Sequence, residues 1–176
     1  MRFVDTAEMY GTEETVGKAI KGMEDVFVAT KVSPDHFHYS DVLKACDASL
    51  KRLGIKQIDL YQLHWPNTNI EIKETMEAME KLVDNGKIRY IGVSNFSIDE
   101  MTEAEESMKR YEIASNQVEY SIISRDIEDG LLEFCNEVKA TVISYSPFAS
   151  GRLFGNRYKG LLSTLDRIGM RLQSGQ

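Results

Sequence analysis

The sequence predicts an α/β fold of the TIM-type (β/α)8 barrel class, incomplete, with about six βα units in a single domain over residues 1–176. Short apolar runs alternate with longer amphipathic runs, which restricts the architecture to an open doubly wound sheet or a barrel. The apolar runs are nearly continuous, as is typical of parallel strands covered on both faces, and they recur at close to the roughly 30-residue length of one βα unit. The predicted strands are residues 2–5, 26–30, 58–63, 88–93, 113–115 and 141–144.

The turn after the first strand distinguishes the two architectures. An open dinucleotide-binding sheet has a glycine-rich turn at this place, where the backbone approaches a pyrophosphate. Here the sequence reads Asp5-Thr6-Ala7-Glu8-Met9-Tyr10, without glycine. In a barrel, functional residues come from the carboxyl ends of several different strands. Polar residues lie at six such ends, namely Asp5, Lys31, His64, Ser94, Gln117 and Tyr145. The barrel is therefore favoured.

Capping residues mark the helices between the strands. Ser97 and Glu100 have the spacing of a capping box, before a helix predicted to run to about Tyr111. The other predicted helix starts are Thr12, Ser40 and Asp126, and the predicted glycine stops are Gly54 and Gly86. These signals complete the strict alternation of strand and helix that the barrel requires.

Composition restricts the partners and the compartment. A net charge of −7 argues against nucleic acid and anionic membranes as partners. No apolar run approaches the roughly 18 residues of a membrane span, and no signal peptide precedes the first motif. Cys46 and Cys135 fall on predicted apolar helix faces, where buried free thiols are favoured over a disulfide or a metal ligand. These observations predict a cytoplasmic protein.

Four polar side chains interrupt or close the buried runs: Asp5, Tyr10, Lys31 and His64. An isolated tyrosine has a pKa near 10, and a neighbouring ammonium group lowers that pKa because it favours the phenolate. We expect Lys31 to act on Tyr10 in this way, with Asp5 keeping the ammonium charged. His64 can orient a carbonyl oxygen. Together the four could protonate the alkoxide that forms from an aldehyde or a ketone.

Each of these residues also has a structural interpretation when it is taken alone. Asp5 could cap a helix, Tyr10 could pack in a loop, and Lys31 could be a charge at the rim. His64 could be a hydrogen-bonded loop histidine. Their joint occurrence at successive strand ends favours the catalytic interpretation.

Several motifs of the chain have a known counterpart. The most specific are Phe3-Val4-Asp5-Thr6-Ala7-Glu8-Met9-Tyr10-Gly11 and Asp59-Leu60-Tyr61-Gln62-Leu63-His64-Trp65-Pro66, and others lie at 29–32, 92–96, 116–120 and 145–148. On these motifs the chain resembles the aldo-keto reductases, from Arg2 to about Ser150. The resemblance implies that Tyr10 is the general acid, that Lys31 paired with Asp5 tunes it, and that His64 binds the substrate carbonyl. It also implies that a reduced nicotinamide delivers hydride to the carbonyl carbon.

The same resemblance implies a cofactor site. Side chains matching Ser94, Asn95 and Gln117 hold the nicotinamide carboxamide, an aromatic matching Tyr145 stacks on its ring, and Ser146 reaches the pyrophosphate. The chemistry agrees, because a carboxamide needs donors and acceptors and a ring needs a flat face. Taken alone, these residues also fit a turn, a structural amide and a core aromatic. The expected cofactor is NADP, on the family's preference, with NAD as the alternative.

Two further features lie near the predicted mouth of the barrel. Trp65 follows His64 and either lines the substrate pocket or packs the rim. His36 and His38 are two residues apart, but no third ligand accompanies them, so no metal is expected.

The resemblance also identifies the six strands as strands 2 to 7 of a full barrel, which has eight strands and about 250 residues. It places much of the adenosine-phosphate site beyond Gln176. The open edges of such a sheet favour self-association. The predicted function is reduction of a small aldehyde or ketone. The alternatives are a binding or regulatory subunit with weak or no activity, and a structural fragment.

Overall fold

The computed structural model describes residues 2–173 and contains one curled sheet of six parallel strands. The strands are β1 (Arg2–Asp5), β2 (Val26–Val32), β3 (Ile58–Leu63), β4 (Ile88–Ser94), β5 (Ile113–Glu119) and β6 (Thr141–Tyr145). Each strand pairs with the next in chain order. A hydrogen bond between Asp5 of β1 and Gln117 of β5 spans the inner face of the curled sheet. The incomplete TIM-type barrel is confirmed.

Helices alternate with these strands along the chain. They are α1 (Glu13–Ile20), α2 (Tyr39–Leu53), α3 (Ile72–Asp84), α4 (Ile98–Ser107), α5 (Leu131–Glu137) and α6 (Lys159–Gln173). Short 3₁₀ turns occupy Glu8–Tyr10, Pro34–His36, Asp126–Glu128, Ala149–Phe154 and Asn156–Tyr158. We call the first of these, Glu8–Tyr10, the tyrosine turn. It lies directly between the end of β1 and the start of α1.

Local signals predicted some helix ends correctly. The capping box of Ser97 and Glu100 is confirmed, and Gly54 ends α2 in the left-handed conformation, with a φ of 67°. The predicted cap at Ser40 is wrong, because α2 already begins at Tyr39, whose backbone N–H donates to the Glu74 carboxylate at 2.8 Å. This tertiary partner satisfies the helix end in place of a local cap.

Two other helix boundaries differ from the predicted ones. The cap predicted at Asp126 is wrong, since this residue begins a 3₁₀ turn and Gly130 precedes α5. The helix predicted to reach Tyr111 ends at Ser107. The buried Glu80 carboxylate accepts from the backbone N–H groups of Lys109 and Arg110, which holds that segment out of a helix.

The main core lies between the outer face of the sheet and the helices. It includes Tyr61 and Leu63 of β3, Met76 and Met79 of α3, and Ile91 of β4, all of them buried. Cys46 and Cys135 are buried and free, so the predicted state of both thiols is confirmed. Within residues 2–173, no helix is long and apolar enough to cross a membrane.

The inner face of the sheet is partly open. A mostly apolar cavity of about 360 Å³ lies against it, lined by Phe3, Phe27, Leu60, Tyr90 and residues of β5 and β6. The Phe3 and Phe27 rings stack with centroids 5.5 Å apart. Among the described strands, β1 and β6 each pair on one side only. Self-association that covers these edges stays a prediction.

Candidate active site

An ion pair with a buried lysine and a partly exposed aspartate lies at the carboxyl ends of the first two strands. The Lys31 ammonium donates to Asp5 Oδ2 at 2.6 Å and to the backbone oxygen of Thr6 at 2.9 Å. The side chain of Lys31 is 0% exposed, whereas that of Asp5 is 27% exposed. A buried ammonium requires such partners, because desolvation of an unpaired charge costs several kcal/mol. The parallel pairing of β1 with β2 brings the two residues together.

Tyr10 and His64 lie beside this ion pair. The tyrosine turn places the Tyr10 hydroxyl 3.3 Å from His64 Nε2, and the two rings meet edge to face. Lys31 Nζ lies 5.2 Å from the centroid of the Tyr10 ring. His64 follows β3, and its backbone N–H donates to Val32 at the end of β2. The structure therefore brings together all four residues that the sequence singled out.

The pKa of Tyr10 is shifted in the direction opposite to the expected one. Partial burial raises this pKa above its ordinary value, and the Asp5 carboxylate raises it further. The expected lowering of this pKa by Lys31 is therefore wrong. The charge of Lys31 is compensated by Asp5 at 2.6 Å, and burial itself lowers the pKa of Lys31. Tyr10 therefore holds its proton at neutral pH, as a proton donor must.

The imidazole of His64 is neutral at pH 7. Burial lowers its pKa below 6.5, the Lys31 ammonium lowers it further, and Asp5 opposes the change. A neutral imidazole carries one N–H donor, which suits a group that hydrogen-bonds a carbonyl oxygen. His64 Nδ1 is buried and has no hydrogen-bond partner among the described residues.

This lowered pKa predicts an acid-sensitive contribution to stability. The unfolded chain protonates His64 near pH 6.5, before the folded protein does, so the free energy of unfolding falls as the pH falls through and below about 6.5. His64→Gln should lack this contribution. Urea denaturation at neutral and mildly acidic pH, at constant ionic strength, measures the difference. An acid dependence that is identical in the two proteins would contradict the prediction.

The second oxygen of Asp5 is held by two amides. Gln117 donates to Asp5 Oδ1 at 2.9 Å, and Gln62 donates to the same oxygen at 3.4 Å. Gln62 was missed by the sequence analysis, although a glutamine within the apolar run of β3 is the signal that could have found it. Gln117 is predicted as a cofactor ligand, and in the structure its Nε2 group donates to Asp5. Its amide oxygen is left as an acceptor.

The other predicted cofactor residues form a cluster at the ends of β4 and β6. The Tyr145 hydroxyl donates to Asn95 Oδ1 at 2.9 Å, and Asn95 Nδ2 donates to Ser94 Oγ at 3.0 Å. Ser94 in turn donates to the backbone oxygen of Gln117. Asn95 adopts the left-handed conformation, with a φ of 62°. Hydroxyl and amide groups of this kind supply both the donors and the acceptors that a carboxamide requires.

The remaining predicted residues lie at the rim. Trp65 is 46% exposed, and its ring stacks on His64 with centroids 6.4 Å apart. The Ser146 hydroxyl lies 3.2 Å from that of Ser150 in an exposed turn. His36 and His38 pair with different carboxylates, those of Glu8 and Glu74. No group of three or more His, Cys, Asp or Glu side chains in residues 2–173 could hold a metal ion.

A larger cavity lies away from Asp5, Tyr10, Lys31 and His64. It has a volume of about 900 Å³ and lies between α1, α2 and the amino-terminal ends of β2 and β3. It is lined by Lys18, Lys21 and Lys51, among others, and by none of the four catalytic candidates. Polar residues of a barrel enzyme act from the carboxyl ends of the strands, so size alone does not identify the site.

The fold and the site together define a barrel protein with a tyrosine, a lysine, an aspartate and a histidine at the carboxyl ends of its strands. Residues 1–163 match the model of the aldo/keto reductase family. The chain belongs to the aldo/keto reductase family, and the family resemblance seen in the sequence is confirmed.

Relatives and solved structures agree with this assignment. The methylglyoxal reductase YeaE of Escherichia coli (strain K12) is 43% identical over 158 residues, which cover 87% of this chain and 55% of that protein. The structure of the thermostable aldo-keto reductase Tm1743 in complex with epalrestat has a TM-score of 0.88 and 43% identity, over 94% of this chain and 62% of that one. An aldo-keto reductase from Klebsiella pneumoniae in complex with NADPH has a TM-score of 0.85 and 41% identity, over 99% and 62%. The chain thus spans about half the length of the curated relative.

Proposed function

We propose that this chain reduces a small aldehyde or ketone to the alcohol with a nicotinamide cofactor, with Tyr10 as the general acid. The observation that carries the proposal is the contact of the Tyr10 hydroxyl with His64, beside the buried pair of Lys31 and Asp5. A protonated phenol and a neutral imidazole then lie close enough to bind the same carbonyl oxygen.

The proposed mechanism assigns a role to His64, Tyr10 and Lys31. A nicotinamide cofactor held by Ser94, Asn95 and Gln117 would supply a hydride to the carbonyl carbon, and the electron pair of the C=O π bond would pass to the oxygen. His64 donates a hydrogen bond to that oxygen and orients it. Tyr10 gives its hydroxyl proton to the oxygen as negative charge develops there. Lys31, whose ammonium lies 5.2 Å from the ring centroid, is the cation that faces the phenolate left on Tyr10.

The cluster at the ends of β4 to β6 fits the nicotinamide end of such a cofactor. In the proposal, Ser94, Asn95 and Gln117 bind the carboxamide, Tyr145 packs on the ring, and Ser146 contacts the pyrophosphate.

NADP is the proposed form, because solved relatives are bound to NADP and to NADPH. Trp65 lines the mouth of the substrate site. The name of the methylglyoxal reductase suggests a small dicarbonyl as the first substrate to test. The buried free thiols support a cytoplasmic location.

Cofactor binding can be measured through Trp65, the one tryptophan of the chain. We expect NADPH to quench its fluorescence with saturation, since Trp65 stacks on His64 beside the predicted nicotinamide site. Tyr145→Ala should weaken binding because it removes the stacking face, whereas Tyr145→Phe keeps the ring and serves as the matched control. An NADPH oxidation assay with methylglyoxal then tests turnover.

The outcomes of these two measurements separate the candidate functions. A folded protein that binds neither NADPH nor NADH would refute the proposal for this chain. Binding without turnover on a broad panel of aldehydes and ketones would select the binding or regulatory subunit instead.

A further inference from the structure

The side chain of Glu8 links the tyrosine turn to the end of β2. Its Oε2 atom accepts from the backbone N–H of Ser33 at 2.9 Å, and its Oε1 atom lies 2.9 Å from His36 Nδ1. The Glu8 side chain is only 15% exposed. Ser33 comes two residues after Lys31, so Glu8 reaches the same strand end that carries the ammonium of the site.

Thr6, before the tyrosine turn, is held by hydrogen bonds with Ala29 and Lys31, whereas the three residues of the turn have few constraints of their own. The turn is three residues long, and its internal hydrogen bonds join Tyr10 N–H to the oxygen of Ala7 and Gly11 N–H to the oxygen of Glu8. The residue before it, Ala7, offers no side-chain cap. Such a short 3₁₀ segment is weakly stabilised by its own hydrogen bonds. The orientation of the turn therefore depends on contacts with the rest of the fold.

Tyr10 itself does little to hold its own position. The residue is 53% exposed, and within residues 2–173 its hydroxyl makes a polar contact with His64, at 3.3 Å. A general acid must be held within hydrogen-bond reach of its acceptor. The phenol can therefore keep this geometry only if the backbone of the turn is fixed relative to β2 and His64.

We propose that Glu8 is the positioning residue for Tyr10. It fastens the tyrosine turn to the β2 end by accepting from the Ser33 N–H, and in this way sets the distance between the Tyr10 phenol and Lys31. The inference rests on the proposed function for its kinetic consequence. The rival explanation is that Glu8 only stabilises the 3₁₀ turn Pro34–His36.

The test compares Glu8→Ala and Glu8→Gln with Glu14→Gln, which changes an exposed carboxylate of α1. The first readout is the nuclear Overhauser contact between the Tyr10 and His64 rings, whose centroids are 5.3 Å apart, in protein with labelled tyrosine and histidine. We expect Glu8→Ala to lose this contact and Glu14→Gln to keep it.

In NADPH-dependent methylglyoxal reduction, we expect kcat of Glu8→Ala to fall by up to about 100-fold, because small displacements of a reacting group have effects of this size. The Kd for NADPH should stay unchanged.

Glu8→Gln keeps an acceptor for the Ser33 N–H and loses only the charge that faces His36, so its kcat should recover part of the loss. It also replaces Glu8→Ala as the test if the alanine variant fails to fold. An unchanged ring contact and an unchanged kcat would overturn the proposal. Parallel losses of thermal stability and NADPH affinity, with kcat per folded molecule unchanged, would favour the rival explanation and also overturn it. If the unsubstituted protein reduces no carbonyl, the proposed function fails while the ring contact still decides whether Glu8 positions Tyr10.

Discussion

Tyr10→Phe is expected to lower the rate of carbonyl reduction by about 10²- to 10⁴-fold, the usual contribution of a general acid. The substitution removes the hydroxyl that lies 3.3 Å from His64 and leaves the ring beside Lys31. Since the pKa of Tyr10 is raised, the hydroxyl is protonated at neutral pH, and its loss removes a proton that is present in the resting protein. NADPH oxidation at saturating carbonyl substrate measures the effect.

Two controls make this result specific. Tyr111→Phe removes a hydroxyl that donates to Asp84 on the protein surface, and this variant should keep full activity. Titration of Tyr10→Phe through Trp65 fluorescence should give an unchanged Kd for NADPH. Full activity in Tyr10→Phe would exclude Tyr10 as the acid, and a large loss of NADPH affinity would show that the substitution disturbs the cofactor site instead.

Asp5→Asn is expected to lower the free energy of unfolding by about 1–3 kcal/mol, because the buried Lys31 ammonium loses a charged partner that is itself 27% exposed. Lys31 is fully buried, and Asp5 is the carboxylate that pairs with it. Asp5 also accepts from Gln62 and Gln117, so the change disturbs hydrogen bonds on both of its oxygens. Chemical denaturation at pH 7 measures the loss.

The double variant Asp5→Asn/Lys31→Met provides the control for this experiment. It removes the ammonium together with its partner, and an apolar side chain of similar length then occupies the buried position. Replacing both partners of a buried ion pair is often nearly neutral, so the double variant should be more stable than Asp5→Asn. If the double variant were less stable than the single one, the unpaired charge of Lys31 would not be the cause of the loss.

Much of the fold could be predicted because its signals are local. Apolar runs such as that of β3 indicate buried parallel strands, and the Ser97 and Glu100 spacing specifies one helix start. Where a polar contact came from a distant element, local signals failed. Glu74 of α3 takes the place of a local cap at the start of α2. Glu80 accepts from backbone N–H groups after α4 and so keeps that segment out of a helix.

The amino-acid sequence alone determined the βα alternation and the placement of Asp5, Tyr10, Lys31 and His64 at or just after strand ends. Because the carboxyl ends of parallel strands meet at one end of a barrel, the proximity of these residues follows from that placement. The tertiary structure decided the direction of the Tyr10 pKa shift, which depends on burial and on the pairing of Asp5 with Lys31. It also decided that Gln117, 112 positions away in the chain, supports Asp5. Desolvation and long-range hydrogen bonds depend on three-dimensional neighbours, which periodicity and spacing do not encode.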